Sequence, residues 1–166
     1  MIRPEQPGDS AGIYAVHCAA FPSDVEARLV DRLRANRQAI VSLVAEEEGR
    51  IVGHILFSPV VIAGQTESRG LGLAPVAVAP DWQRRGVGSA LIRAALAACR
   101  GLDCGFVVLL GHPDYYPRFG FERASRFGLT NEYGADEAFM VLEMRPGSLP
   151  PGGGLVRYGP EFGEFA

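Results

Sequence analysis

Cysteine is scarce in this 166-residue chain: Cys18, Cys99 and Cys104 are all it has, an odd number with no CxxC spacing. That excludes a disulfide framework and a thiolate-based zinc site. Cys99 and Cys104 flank a predicted helix end and read as small apolar packing groups. The three histidines are scattered and make no metal constellation, so no metal site is expected. No stretch approaches the roughly 20 apolar residues needed to span a bilayer, and residues 1–5 lack the apolar run of a secretory leader. Nor is there a long run of one charge. A net charge of −3 argues against nucleic acid or an anionic membrane as partner, since both call for a basic face. The expectation is a soluble, reduced, cytoplasmic protein.

What remains is an ordinary globular composition, 48% hydrophobic and 21% charged, long enough for one domain with its own core. Residues 1–7 form a candidate edge strand ended by Pro7-Gly8. Asp9 or Ser10 can cap a helix through Ile13, Val16, His17 and Ala20. Pro22-Ser23-Asp24 breaks it and opens a second helix, with Val25, Leu29, Val30 and Leu33 at helical spacing and Arg28, Asp31, Arg32 and Arg34 opposite. Strands are predicted over 40–46 and 51–62 as a hairpin about Glu47-Glu48-Gly49-Arg50. An extended run at 71–79 leads to a helix from Gly88, with Leu91, Ile92, Ala95, Leu96 and Cys99 on one face and Gly101 ending it. Residues 106–110 are continuously apolar, as for a strand covered on both faces. A turn or short helix over 112–121 and strands near 121–128 and 137–145 follow. Pro150-Pro151-Gly152-Gly153-Gly154 reads as a flexible spacer before a short strand at 155–158. There are no repeats and no second domain is expected.

The richest signal is the strand–turn–helix passage Val76-Ala77-Val78-Ala79-Pro80-Asp81-Trp82-Gln83-Arg84-Arg85-Gly86-Val87-Gly88-Ser89. Unpaired amides and the positive dipole end at a helix start make an anion site. Glycines at 86 and 88 let the backbone approach a diphosphate. Arg84 and Arg85 can add charge-assisted bonds, and Ser89 a hydroxyl. The sequence lacks the GxxxxGK[ST] of a Walker loop. A dinucleotide fingerprint needs a third glycine, and position 91 is leucine. Pro75, with no amide hydrogen, suits a strand that is bulged or splayed rather than paired centrally.

Gln83-Arg84-Arg85-Gly86-Val87-Gly88 matches the Q/R-x-x-G-x-G/A motif. With Leu73-Ala74-Pro75-Val76-Ala77-Val78 before it and Gly111-His112-Pro113 through Phe121 after it, the chain resembles the GNAT acyltransferases, in the YhbS-type branch. The resemblance implies an α/β (α+β) fold: a mixed, mostly antiparallel sheet of about seven strands, with strands four and five splayed, flanked by about four helices. It implies acetyl-CoA as co-substrate, with the backbone of Val76, Ala77 and Val78 against pantetheine and residues 83–89 on the diphosphate. Aligning Tyr115-Tyr116-Pro117-Arg118-Phe119-Gly120-Phe121 with the family's F-Y-x-K-L-G-F pattern puts the acid that protonates the departing thiolate on Tyr116, with Tyr115 as its packing partner. The implied reaction is transfer of acetyl to a primary amine of a small molecule or peptide, by direct attack in a ternary complex.

For the base that frees the amine, the residues themselves offer His112, four positions before Tyr116, with His54 and Glu26 as further candidates. The acceptor cleft is expected from the first two helices and the 54–70 loop. A non-catalytic acyl-CoA sensor, an enzyme acting on protein lysines or N-termini, and a homodimer contact through the Gly/Pro-rich tail stay open.

Overall fold

The computed structural model describes residues 1–66 and 69–165. In chain order these form β1 (Ile2–Pro4), α1 (Ser10–Ala20), α2 (Val25–Ala35), β2 (Val41–Glu47), β3 (Arg50–Ile62), β4 (Gly70–Val78), α3 (Val87–Arg100), β5 (Phe106–Leu110), β6 (Glu122–Arg123), β7 (Leu129–Asn131), β8 (Phe139–Glu143) and β9 (Gly154–Tyr158), with short 3-10 turns between. The sheet is mixed and mostly antiparallel, with a parallel β4–β5 pair. The described residues thus hold nine strands where about seven were expected, and three α-helices where about four were. The chain forms two compact units, one of residues 1–58 and 74–101, the other of 59–73 and 102–166.

In the first unit β1 pairs antiparallel with β2, and β2 with β3, from Val41 opposite Phe57 to Glu47 opposite Arg50. The connecting turn puts Glu48 and Gly49 at positive φ, 54° and 77°. Two such residues in a two-residue loop match the twist of the strands they join. Successive residues of a strand face opposite ways, and β3 uses this at Gly53 and His54. A Cβ on Gly53 would meet Leu91 at 3.0 Å and Val87 at 3.2 Å, so α3 lies against that face. His54 meets His17 of α1 on the other. The helices follow their stripes: Ala27, Leu29, Val30 and Leu33 of α2 and Leu91, Ile92, Ala95, Leu96 and Cys99 of α3 are all buried. The exposed pair Arg28–Asp24 lies on the outer face of α2 and contributes little stability, whereas Arg34, half-buried, pairs with both Asp31 and Glu5.

In the second unit β5 lies between β4, its parallel neighbour, and β8, its antiparallel one. Phe106 to Leu109 are all buried, as the unbroken apolar run predicts. Gly70 stands directly opposite Phe106, where any Cβ would overlap the phenyl ring. The parallel pairing runs from Gly70–Phe106 to Gly72–Val108, and Pro75 follows three residues on. The expected strand over 121–128 is corrected: only Glu122–Arg123 pair with β8, and Ala124–Phe127 coil into a 3-10 turn. Gly120 and Gly128, at φ 98° and 75°, bracket that stretch with backbone no extended run can hold. The predicted C-terminal strand forms, pairing with the end of β3 and with β7.

Candidate functional site

Strand β4 ends at Val78, and the chain is tied to β3 by the Ala79 amide donating to Val52 O at 2.8 Å. Pro80–Trp82 make one 3-10 turn, Arg84 takes a left-handed φ of 62°, and Gly86 one of 85° as the residue before α3. The first intrahelical bond runs from Ala90 N to Gly86 O, so the Val87 and Gly88 amides lie ahead of the ladder. No side chain caps this helix start. A Cβ on Gly86 would meet nothing within 4 Å, and one on Gly88 only a Val78 methyl at 3.6 Å. A helix N-terminus with open space over its glycines and no side-chain cap fits a diphosphate, because an incoming anion can take the bonds that a Ser or Asp cap would otherwise supply.

Two of the side chains expected here have other partners. The Gln83 amide donates to Val78 O at 3.0 Å and so closes the end of the strand. The Arg85 guanidinium stacks over Trp82, 5.1 Å from the ring centroid, a cation–π contact. Arg84 is exposed beside them, Val76 and Val78 are half-buried, and Ala77 is buried. Trp82, unmarked by the sequence reading, is the platform that positions Arg85.

The second unit holds Tyr116, buried at the start of the 3-10 turn Tyr116–Phe119. Its ring meets those of Tyr115 at 5.1 Å and Phe121 at 6.0 Å. Gly111 is required beside it, since a Cβ there would enter the Tyr116 ring. Burial, with a small push from Tyr115, raises the phenol to about 12, so it keeps its proton throughout the neutral range. His112 is exposed, and its carbonyl accepts from the amides of Tyr115 and Tyr116. Of the segment expected to line the acceptor cleft, 54–62 is strand rather than loop, and residues 67 and 68 lie outside the described residues. Glu26 sits half-buried in the first turn of α2.

The first unit also contains a chain of polar side chains that the sequence signalled only through His54. His17 and His54 are fully buried and share a 2.8 Å hydrogen bond. His54 reaches Ser42 at 2.8 Å, Ser42 donates to Glu5 at 2.5 Å, and Arg34 donates to Glu5 at 2.5 Å. Burial pushes His17 down to about 4, with Arg34 adding to the effect, and lowers His54 through burial and then the neighbouring His17. A histidine held neutral in the fold stabilises it above the ordinary value near 6.5, and that stability is lost as the pH falls towards the folded value. The protein should therefore weaken by on the order of 3 kcal/mol between pH 6.5 and 4. Denaturant titrations across that range test this, and His17→Phe should flatten the slope.

Among the described residues no group of His, Cys, Asp and Glu is placed to hold a metal ion, and no helix is long and apolar enough to cross a membrane. The parallel β4–β5 pair and the uncapped turn at the head of α3 give this α/β chain a place for an anion at the start of that helix. The Acetyltransferase (GNAT) family matches over residues 11–121, and the chain belongs to that family. It is 36% identical over 167 residues to the uncharacterized N-acetyltransferase YhbS of Escherichia coli K12, an alignment spanning 99% of both chains. The crystal structure of E. coli YhbS in complex with CoA superposes with a TM-score of 0.93 at 34% identity, covering 100% of this chain and 93% of that one. A GNAT family acetyltransferase from Brucella melitensis in complex with acetyl-CoA gives 0.82 at 41% identity, covering 98% and 97%.

Proposed function

We propose that the protein transfers acetyl from acetyl-CoA to a primary amine of a small molecule or peptide, by direct attack within a ternary complex. The observation that carries this is the α3 start, uncapped and open above Gly86 and Gly88. The amides of Val87, Gly88 and Ser89 with Arg84 would hold the diphosphate. The backbone of Val76, Ala77 and Val78 would take pantetheine, and the same stretch would hold the thioester carbonyl. Two relatives at 34% and 41% identity, solved with CoA and acetyl-CoA, support the same ligand. The thioester supplies an activated acetyl group, so the protein's part is positioning, donation of a proton to the thiolate and removal of one from the amine. Tyr116 is our choice for the donor, since burial keeps its phenol protonated. The candidate receiver of the amine's proton is the exposed His112. Among the described residues Cys18, Cys99 and Cys104 form no disulfide, which suits a reducing cytoplasm.

Titration calorimetry with acetyl-CoA and a thiol-release assay over a panel of amines test the reading. The expected outcome is acetyl-CoA binding in calorimetry and amine-dependent thiol release in the assay. Binding without release for every amine would leave a sensor. The chain contains no lysine, so release without added amine cannot be acylation of its own ε-amino groups.

A further inference from the structure

The end of β4 has one edge paired and one edge open, and Gln83 sits on the open one. In an antiparallel ladder the amide and carbonyl of one residue face the same neighbour, and those of the next residue face away from it. Ala79 N donates to Val52 O at 2.8 Å, and Ala77 O lies 3.3 Å from where a Cβ on Gly53 would stand. Ala77 and Ala79 therefore face β3, and the backbone groups of Val76 and Val78 face the opposite edge. The parallel pairing with β5 ends at Gly72, so among the described residues no strand takes them. What meets that edge is a side chain, the Gln83 amide, which donates to Val78 O at 3.0 Å. The 3-10 turn Pro80–Trp82, closed by Trp82 N on Ala79 O at 2.8 Å, folds the chain back so that this exposed glutamine reaches the strand it follows.

We propose that Gln83 is a positioning residue for the pantetheine arm rather than a ligand of the diphosphate; this rests on the transferase reading above. Laid along β4 as an added strand, the arm can pair its amides with Val76 and with the Val78 amide hydrogen, but the Val78 carbonyl is already taken. The ladder stops there, and the arm must leave the strand for the Val87 and Gly88 amides at the start of α3. Without Gln83 that carbonyl is one more acceptor on the edge, and the arm gains a second register. A slip of one ladder repeat moves the thioester by about 7 Å along the strand. Catalysis by positioning does not survive a displacement of that size. The residue type fits this use. A primary amide donates without adding charge beside the diphosphate, and charge for the anion comes instead from Arg84 and the helix dipole.

Paired ligand titrations of the full chain test this. Acetyl-CoA is titrated by calorimetry. Adenosine 3′-phosphate 5′-diphosphate, which keeps the diphosphate and lacks the arm, is titrated by 15N NMR of the Val87 and Gly88 amides. Gln83→Met keeps the length of an exposed side chain and removes its donor, and Gln83→Ala replaces it if the methionine variant folds poorly. Affinity for acetyl-CoA should fall about fivefold, the usual effect of losing one hydrogen bond, and kcat about tenfold, while the arm-less ligand binds as it does to wild type. Gln83→Arg, whose guanidinium can donate to the same carbonyl, should restore both quantities, a rescue that lost packing would not allow. Equal weakening of both ligands in Gln83→Met would make Gln83 a diphosphate ligand and overturn the proposal, and so would unchanged acetyl-CoA affinity. Wild-type protein that binds neither ligand strikes the transferase reading itself. Wild-type protein that binds both but releases no thiol with any amine strikes the transfer step alone, and the affinity split between the two ligands still decides the place of Gln83.

Discussion

Replacing Gly88 with valine should weaken CoA binding by well over tenfold, more than about 1.4 kcal/mol, with little change in thermal stability. Only a Val78 methyl at 3.6 Å lies near a Cβ at this position, an ordinary contact, so the protein's own packing tolerates the first added carbon. The branched methyls extend into the space a diphosphate needs to reach the Val87 and Gly88 amides. Gly86 is the poorer probe, because its φ of 85° would add roughly 1 kcal/mol of backbone strain to any steric effect. Calorimetry with CoA reads the outcome, and undiminished affinity would remove the diphosphate from this turn.

Tyr116→Phe should lower kcat by about a hundredfold, within the usual contribution of a positioned general acid, and leave acetyl-CoA affinity unchanged. The ring contacts with Tyr115, Phe119 and Phe121 survive the substitution, so loss of the hydroxyl is isolated from loss of packing. With the phenol raised to about 12, the wild-type acid should stay in place up to strongly alkaline pH. The rate should therefore show no loss of this proton between pH 7 and 9. Equal rates for the two proteins at every pH would take the tyrosine out of the mechanism.

Tyr116 and the buried His17–His54 pair differ in how they could be read. Tyr116 came from a local pattern, seven residues aligned with a family motif, and its burial and protonation only became visible with Gly111, Tyr115 and Phe121 around it. His17 appeared in the sequence as one more member of an apolar helical stripe. Nothing within reach of its own neighbours marks it, because its partner His54 lies 37 positions away. Likewise Gln83 and Arg85 belong to the phosphate motif, yet one spends its amide on Val78 O and the other its charge on Trp82.

Helix stripes, the Glu48-Gly49 hairpin, the buried fifth strand and the open turn before α3 could all be read from the chain, since each depends on side-chain period or on backbone freedom within a few residues. The tertiary structure decided which polar groups pair. It coiled 124–127 instead of extending it, drew the C-terminal strand onto β3, and set Glu5, Ser42 and His54 in line with a histidine on α1. A hydrogen bond needs two groups within about 3 Å of each other, and for residues far apart in sequence that closeness is a product of folding rather than of any local pattern.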